Sequence, residues 1–147
     1  MVIKDTPYVS IVFNVTAEIL LIDWIQIPST KQFKDSYFAA LQFVEQKGTI
    51  ISFCTNLSVI GSLSREQEAW LMLEYYPKVY QCIGENINAA VVFSEEHFKA
   101  IVTNYQQPTY LARQEFINFN YFTVFEEAMH WLAIIKKGQD SFSSMIS

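Results

Sequence analysis

Cysteine, glycine and basic charge are all scarce in this chain, and each scarcity excludes something. The two cysteines, Cys54 and Cys82, have no CxxC spacing and no paired histidines beside them, so they cannot make a four-ligand zinc site. They read as two buried free thiols acting as small hydrophobic residues. The four glycines, Gly48, Gly61, Gly84 and Gly138, contain no GxGxxG or GxxxxGK[ST] string, which removes those two routes to nucleotide binding. No G-x-S-x-G elbow is present either. Ten Lys and Arg against fifteen Asp and Glu give a formal net charge of −5. Nucleic acid and anionic membranes both demand clustered basic charge, so neither is an expected partner. No apolar run approaches the roughly 18 residues of a membrane span. The first five residues lack a basic segment leading into an apolar one, so no secretory signal is read and a cytoplasmic protein is expected.

What is present is a folding composition. Of the 147 residues, 51% are hydrophobic with both charge signs interspersed, which is the balance of a globular chain. A single domain is expected over residues 1–138, with the polar, serine-rich residues 139–147 read as a frayed tail. Ser29 with Gln32, Ser64 with Gln67 and Thr123 with Glu126 have capping-box spacing, in which the first side chain accepts from a free amide and the second returns to the cap's own amide. Ser94 before Glu95 and Glu96 is a simpler start, with carboxylates where the helix dipole favours them. Helical spacing follows each cap: Phe33, Tyr37, Leu41 and Val44; Ala69, Leu73, Tyr76, Tyr80 and Ile83; Val124, Ala128, Trp131, Leu132 and Ile135. Gly48, Gly84 and Gly138 each fall where a left-handed helix terminus is wanted. Pro77 lies inside the second of these helices and predicts a kink.

Between the helices lie strand-like runs. Residues 9–14 and 17–24 are too close for a crossover and predict an antiparallel hairpin. Residues 49–54 and 88–93 are continuous apolar runs, as in parallel strands covered on both faces. In residues 116–121, Ile117, Phe119 and Tyr121 alternate with Asn118 and Asn120, which predicts a strand at a sheet edge. The order β-β-α-β-α-β-α-β-α implies an α/β fold: a mixed five-stranded sheet, N-terminal antiparallel hairpin then parallel strands, with four helices.

Little in the chain has the pattern of a catalytic centre. His97 and His130 sit one turn from or beside glutamates on helices, as ordinary surface pairs do. Glu95-Glu96 and Glu126-Glu127 are adjacent and therefore diverge, unlike an acid/base couple. No catalytic, cofactor or metal residue is assigned, and a non-enzyme is expected. The loop after the strand at residues 49–54 is the candidate ligand or partner loop. Its Asn56, Ser58, Ser62 and Ser64 leave the carboxyl end of a strand and enter a helix N-terminus, a place where open α/β sheets bind ligands. Twelve Phe, eight Tyr and three Trp exceed what a small core readily hides, and point to an apolar pocket or an association surface. The three tryptophans, Trp24, Trp70 and Trp131, are expected to be substantially buried.

Three strings carry a resemblance. Ile19-Leu20-Leu21-Ile22-Asp23-Trp24, the run from Gly61 to Leu71 followed by Tyr76-Pro77, and the run from Asn120 to Leu132 resemble, in order and spacing, small bacterial STAS/CRAL-TRIO-like proteins. The resemblance spans roughly residues 8 to 135. It implies the anti-sigma-factor-antagonist fold, a mixed five-stranded sheet packed with helices, in a family whose activity is largely unassigned. STAS domains are often protein-binding switches, phosphorylated on a Ser or Thr that follows an Asp at the end of the third strand. Asn56 and Leu57 stand there in this chain, so the phosphorylation motif is not matched. CRAL-TRIO domains bind lipids in an apolar pocket, in a larger chain than this one. The expectation is a non-enzymatic interaction or regulatory module, with an unknown protein partner. The alternative is a binder of a small apolar ligand, such as an acyl group, in a pocket beside residues 56–64. The apolar strand at residues 9–14 would be hazardous as a bare edge. The sequence favours covering it by a homodimer; the competing cover is residues 1–8 or the tail after Gly138.

Overall fold

The structure, a computed structural model, describes the backbone of residues 1–48, 50–104 and 115–146 and the same residues' side chains apart from 101–104 and 139–146. Its centre is one six-stranded sheet whose spatial order is its chain order: β1 (Val2–Asp5), β2 (Val9–Asn14), β3 (Ile19–Trp24), β4 (Ser52–Asn56), β5 (Ile87–Val92) and β6 (Ile117–Phe122). β1, β2 and β3 pair antiparallel, and β3 to β6 run parallel. The α/β class, the mixed sheet and the hairpin are as expected, but the sheet has six strands rather than five. The extra strand, β1, pairs along β2 and covers the edge for which the sequence favoured a second subunit. The argument for a homodimer through that edge therefore lapses. β6 lies at the opposite edge, as its alternation predicts.

The crossovers all step to the next strand in the same direction, so crossovers of one hand deliver their helices to one face. On that face α1 (Thr30–Lys47) lays Phe33, Tyr37, Leu41 and Val44 against Val9, Ile11 and Phe13 of β2 and Leu20, Ile22 and Trp24 of β3, all buried. The two strands place these residues directly opposite one another, Val9 by Trp24, Ile11 by Ile22 and Phe13 by Leu20. The other face is covered by α5 (Phe125–Ile146), whose Ala128 and Leu132 bury Ile19, Cys54, Ala90 and Val92. β4 and β5 are thus covered on both sides, which is why they read as continuous apolar runs. Lys136 of α5 pairs with Glu18 of the β2–β3 turn at 2.8 Å and ties the helix to the hairpin. No helix among the described residues is long and apolar enough to cross a membrane.

The capping boxes at Ser29/Gln32 and Ser64/Gln67 are both formed, each with its reciprocal pair of hydrogen bonds. Gly48 closes α1 with φ 79°, its N–H on the Val44 carbonyl, a left-handed terminus that a side chain would strain. Gly138 does not repeat this: α5 continues through it to Ile146. The expected tail falls on residues whose side chains lie outside those described, and residue 147 lies outside altogether. α5 begins at Phe125, two residues beyond Thr123, so Thr123 does not occupy the cap position.

The largest departure is around Pro77. α2 (Arg65–Trp70) runs into a π-helical turn, Leu71–Tyr75, and on into α3 (Tyr76–Ile83). The Tyr76 N–H bonds to the Leu71 carbonyl, one residue further back than in an α-helix. Proline has no N–H to give Leu73 and its ring presses on that carbonyl; widening the preceding turn accommodates both. The widened turn shifts the inner face by one residue. Trp70, Leu71, Tyr75, Tyr76 and Val79 are buried, whereas Ala69, Leu73 and Tyr80, expected on the inner stripe, are exposed. The kink is where Pro77 predicts it, but regular helical spacing misplaces the face.

Trp24 and Trp70 are buried as expected; Trp131 is only half-buried, at the margin of α5 beside Phe122. Phe33→Ala is accordingly expected to lower stability by about 3–5 kcal/mol, the usual loss for a buried ring. Trp131→Ala should lower it by less, about 1–2 kcal/mol, since its ring lies at the margin of the core and is not fully buried. Urea denaturation of both variants checks the ranking, and equal losses would contradict it.

Candidate functional site

Parallel pairing sets the geometry of the candidate loop. Asp23, Asn56 and Val92 are register partners across β3, β4 and β5, at the carboxyl edge of the sheet. Asn56 Nδ2 donates to Asp23 Oδ1 at 3.1 Å, and Asn56 Oδ1 accepts from the Ser58 N–H at 3.0 Å. The second bond is an Asn side-chain turn, which starts the loop. The Leu57 N–H bonds to the Val92 carbonyl and its side chain is fully buried, pinning the chain between β4 and β5. Gly61, at φ 75°, turns the loop outward. Ser62 Oγ then lies 2.9 Å from His97 Nε2 of α4 (Glu95–Asn104). Ser64 is the α2 cap.

The four sequence candidates thus lie along one edge but spend their polar groups on separate partners. Asn56 and Ser58 share one network, Ser62 joins α4, and Ser64 holds α2. Two participants were not singled out from sequence as site residues: Asp23, and His97 in this pairing. Only the strand register brings either to the loop. Strand order never reverses in the parallel part of the sheet, so the loop does not border the crevice that a reversal opens in doubly wound sheets.

The electrostatics restrain the chemistry. Burial raises Asp23 above the usual carboxylate value, partly offset by the hydrogen bond from Asn56. Burial and the nearby Asp23 charge push the Cys54 thiol up to about 12, so it stays protonated. Cys82 is also a free thiol, raised by burial and by Glu45. His97 is lowered by burial, its ring edge-on to Phe93 at 4.8 Å. The Ser62–His97 distance suits a nucleophile and its base, but Nδ1 is buried without a hydrogen-bond partner. A proton on Nδ1 would be an orphaned buried donor, a rarer condition than an orphaned acceptor. The proton is better placed on Nε2, where it is donated to Ser62 Oγ. That tautomer anchors the loop to α4; it does not take the hydroxyl proton, as a triad histidine oriented by a carboxylate does. His130 and both members of Glu126-Glu127 are exposed on α5. No group of three metal-ligating side chains occurs among the described residues.

One apolar pocket is lined by none of residues 56–64. This cavity of about 70 Å³ sits between the sheet and the α1/π-turn layer, lined by Ile22, Phe53, Ala89, Val79, Tyr37 and Tyr75. Set against protein-family models, curated proteins and solved structures, the chain matches none.

Two outcomes follow from the loop. His97 has its folded pKa below the ordinary 6.5, so the neutral ring contributes stability above that pH that is lost as pH falls through the lowered value. The melting temperature should drop between about pH 7 and 5, and His97→Gln should flatten that slope; an unchanged slope in the variant would show that His97 is not its source. Asn56→Asp puts a second carboxylate against Asp23 and removes the donor between them. The variant should be less stable than the parent at pH 7, with the gap narrowing below about pH 5 as the pair takes up a proton. Paired urea titrations at the two pH values measure that gap.

Proposed function

We propose that this protein is a non-enzymatic interaction module, STAS-like in descent, that docks a protein partner on the outer side of α1 and the π turn. The observation that carries the reading is the exposed apolar surface there. Phe38 stands edge-on to Trp70 at 5.4 Å and remains 40% exposed; Leu73, turned outward by the π turn, is 75% exposed. Lys34 lies over the Trp70 ring at 5.8 Å and Lys78 over Phe38 at 5.0 Å. Rings backed by a packed core and flanked by cations have the composition of a binding hot spot. The matching partner presents an apolar anchor between carboxylates.

The engaged polar groups of the loop, the protonated Cys54 and the anchoring tautomer of His97 support a role without covalent chemistry. The alternation of strands and helices supports the STAS-like relation, although that resemblance implies five strands. At the position of the phosphoacceptor, Leu57 is buried and has no hydroxyl, which supports binding without that switch. A homodimer is one form of this reading, with a second copy as the partner.

Site-specific photo-cross-linking in cells tests it. A photoreactive residue at Leu73 should give a discrete adduct, and one at Val15, also well exposed in the β2–β3 turn, should not. Lys34→Glu with Lys78→Glu should abolish the Leu73 adduct. An adduct at twice the 17.1 kDa chain mass would make the partner a second copy. Equal labelling at both sites, or an adduct indifferent to charge reversal, would refute the surface.

A further inference from the structure

We propose that the cavity beneath the π turn is a binding site for a small, neutral, mostly apolar molecule carrying one oxygen, of the class of short alcohols and ketones. The site is separate from the docking surface and stands on different observations. Its walls are aliphatic and aromatic, with Ile22 and Ala89 from the sheet facing Val79 of α3. The void has an identifiable origin. Tyr75 and Tyr76 enter side by side from the widened turn, and the strand residue below them is the small Ala89. At about 70 Å³ it has room for about two waters. That is under half the roughly 150 Å³ of a dry cavity known to admit benzene, so the space suits a body of a few non-hydrogen atoms.

One end of the cavity is polar. Tyr37 and Thr55 both line it, and the Tyr37 hydroxyl faces Thr55 and the indole of Trp24. Tyr75 packs edge-on to Tyr37 at 4.8 Å and borders the same space. Burial keeps both phenols neutral, pushing Tyr37 up to about 12 and Tyr75 higher still. Neutral Tyr37 and Thr55 hydroxyls at one end of an otherwise apolar chamber suit an oxygen on a hydrocarbon body and offer no countercharge to an ion. Water alone is a poor filling, because buried water needs two to four polar partners and these gather at one end.

Methyl-resolved NMR of the full chain tests the proposal, with xenon and 2-propanol as probes. Xenon under pressure should shift the Ile22, Val79 and Ala89 methyls saturably, and 2-propanol should compete with it. Tyr37→Phe should weaken 2-propanol by about fivefold, the value of one hydrogen bond, and leave xenon unchanged. Ala89→Leu should fill the space and abolish both; if it does not fold, Ala89→Val should weaken both. Absence of saturable shifts in the parent protein would overturn the site, as would equal response in the filled variant. Loss of xenon and 2-propanol binding together in Tyr37→Phe would overturn the assignment of the polar corner.

Discussion

Trp24, Phe33, Tyr37, Trp70 and Tyr75 touch one another in a continuous stack, and the helical layer is fixed to the sheet through it. Trp24 lies parallel to Phe33 at 5.6 Å, Phe33 meets Tyr37 edge-on at 4.9 Å and Trp70 at 5.9 Å, and Tyr37 meets Tyr75 at 4.8 Å. Those contacts join β3, α1, α2 and the π turn with rings alone. Offset and edge-on pairs of this kind each contribute about 0.5–1.5 kcal/mol beyond simple burial. Because the rings are rigid and large, they set the spacing between layers, and smaller residues must accept what room is left. The cavity is one result. The outward Leu73 is another, since the turn that brings Tyr75 into the stack rotates Leu73 away from it.

Much of this was legible where the determining contact is short in sequence. The capping boxes need partners three residues apart, and both Ser29/Gln32 and Ser64/Gln67 formed. The alternation of Ile117, Phe119 and Tyr121 with asparagines predicts an edge strand, and β6 is one, although beyond Ile117 and Asn118 both of its faces are half-buried.

What escaped depends on distance. β1 is four residues without a clear alternation, stabilised by an edge it meets only after β2 forms. The Asp23–Asn56 bond joins residues 33 apart and the Ser62–His97 contact residues 35 apart, and neither exists until parallel register is set. The π turn escaped for a different reason. Helical periodicity assumes a constant turn, and Pro77 announces a disturbance without saying how many residues it absorbs. Trp131 shows a further limit, since a helix covering only part of a sheet face leaves its marginal residues incompletely buried even when they fall on the stripe.

The identity of strand order and chain order has a consequence for synthesis on the ribosome. Chains emerge from the N-terminus at about 5–20 residues per second, and here every new strand finds its neighbour already made. The sheet can therefore grow by accretion, with no strand waiting for one not yet translated. Each parallel pairing still has to close a crossover of about 30 residues or more, so growth is sequential without being fast. The exception is the face covered by α5. Ile19, Cys54, Ala90 and Val92 are in place before the segment that carries Ala128 and Leu132 has been polymerised. During that interval the nascent chain presents its one apolar sheet face that no crossover helix shields, and a chaperone acting on this protein would find its target there.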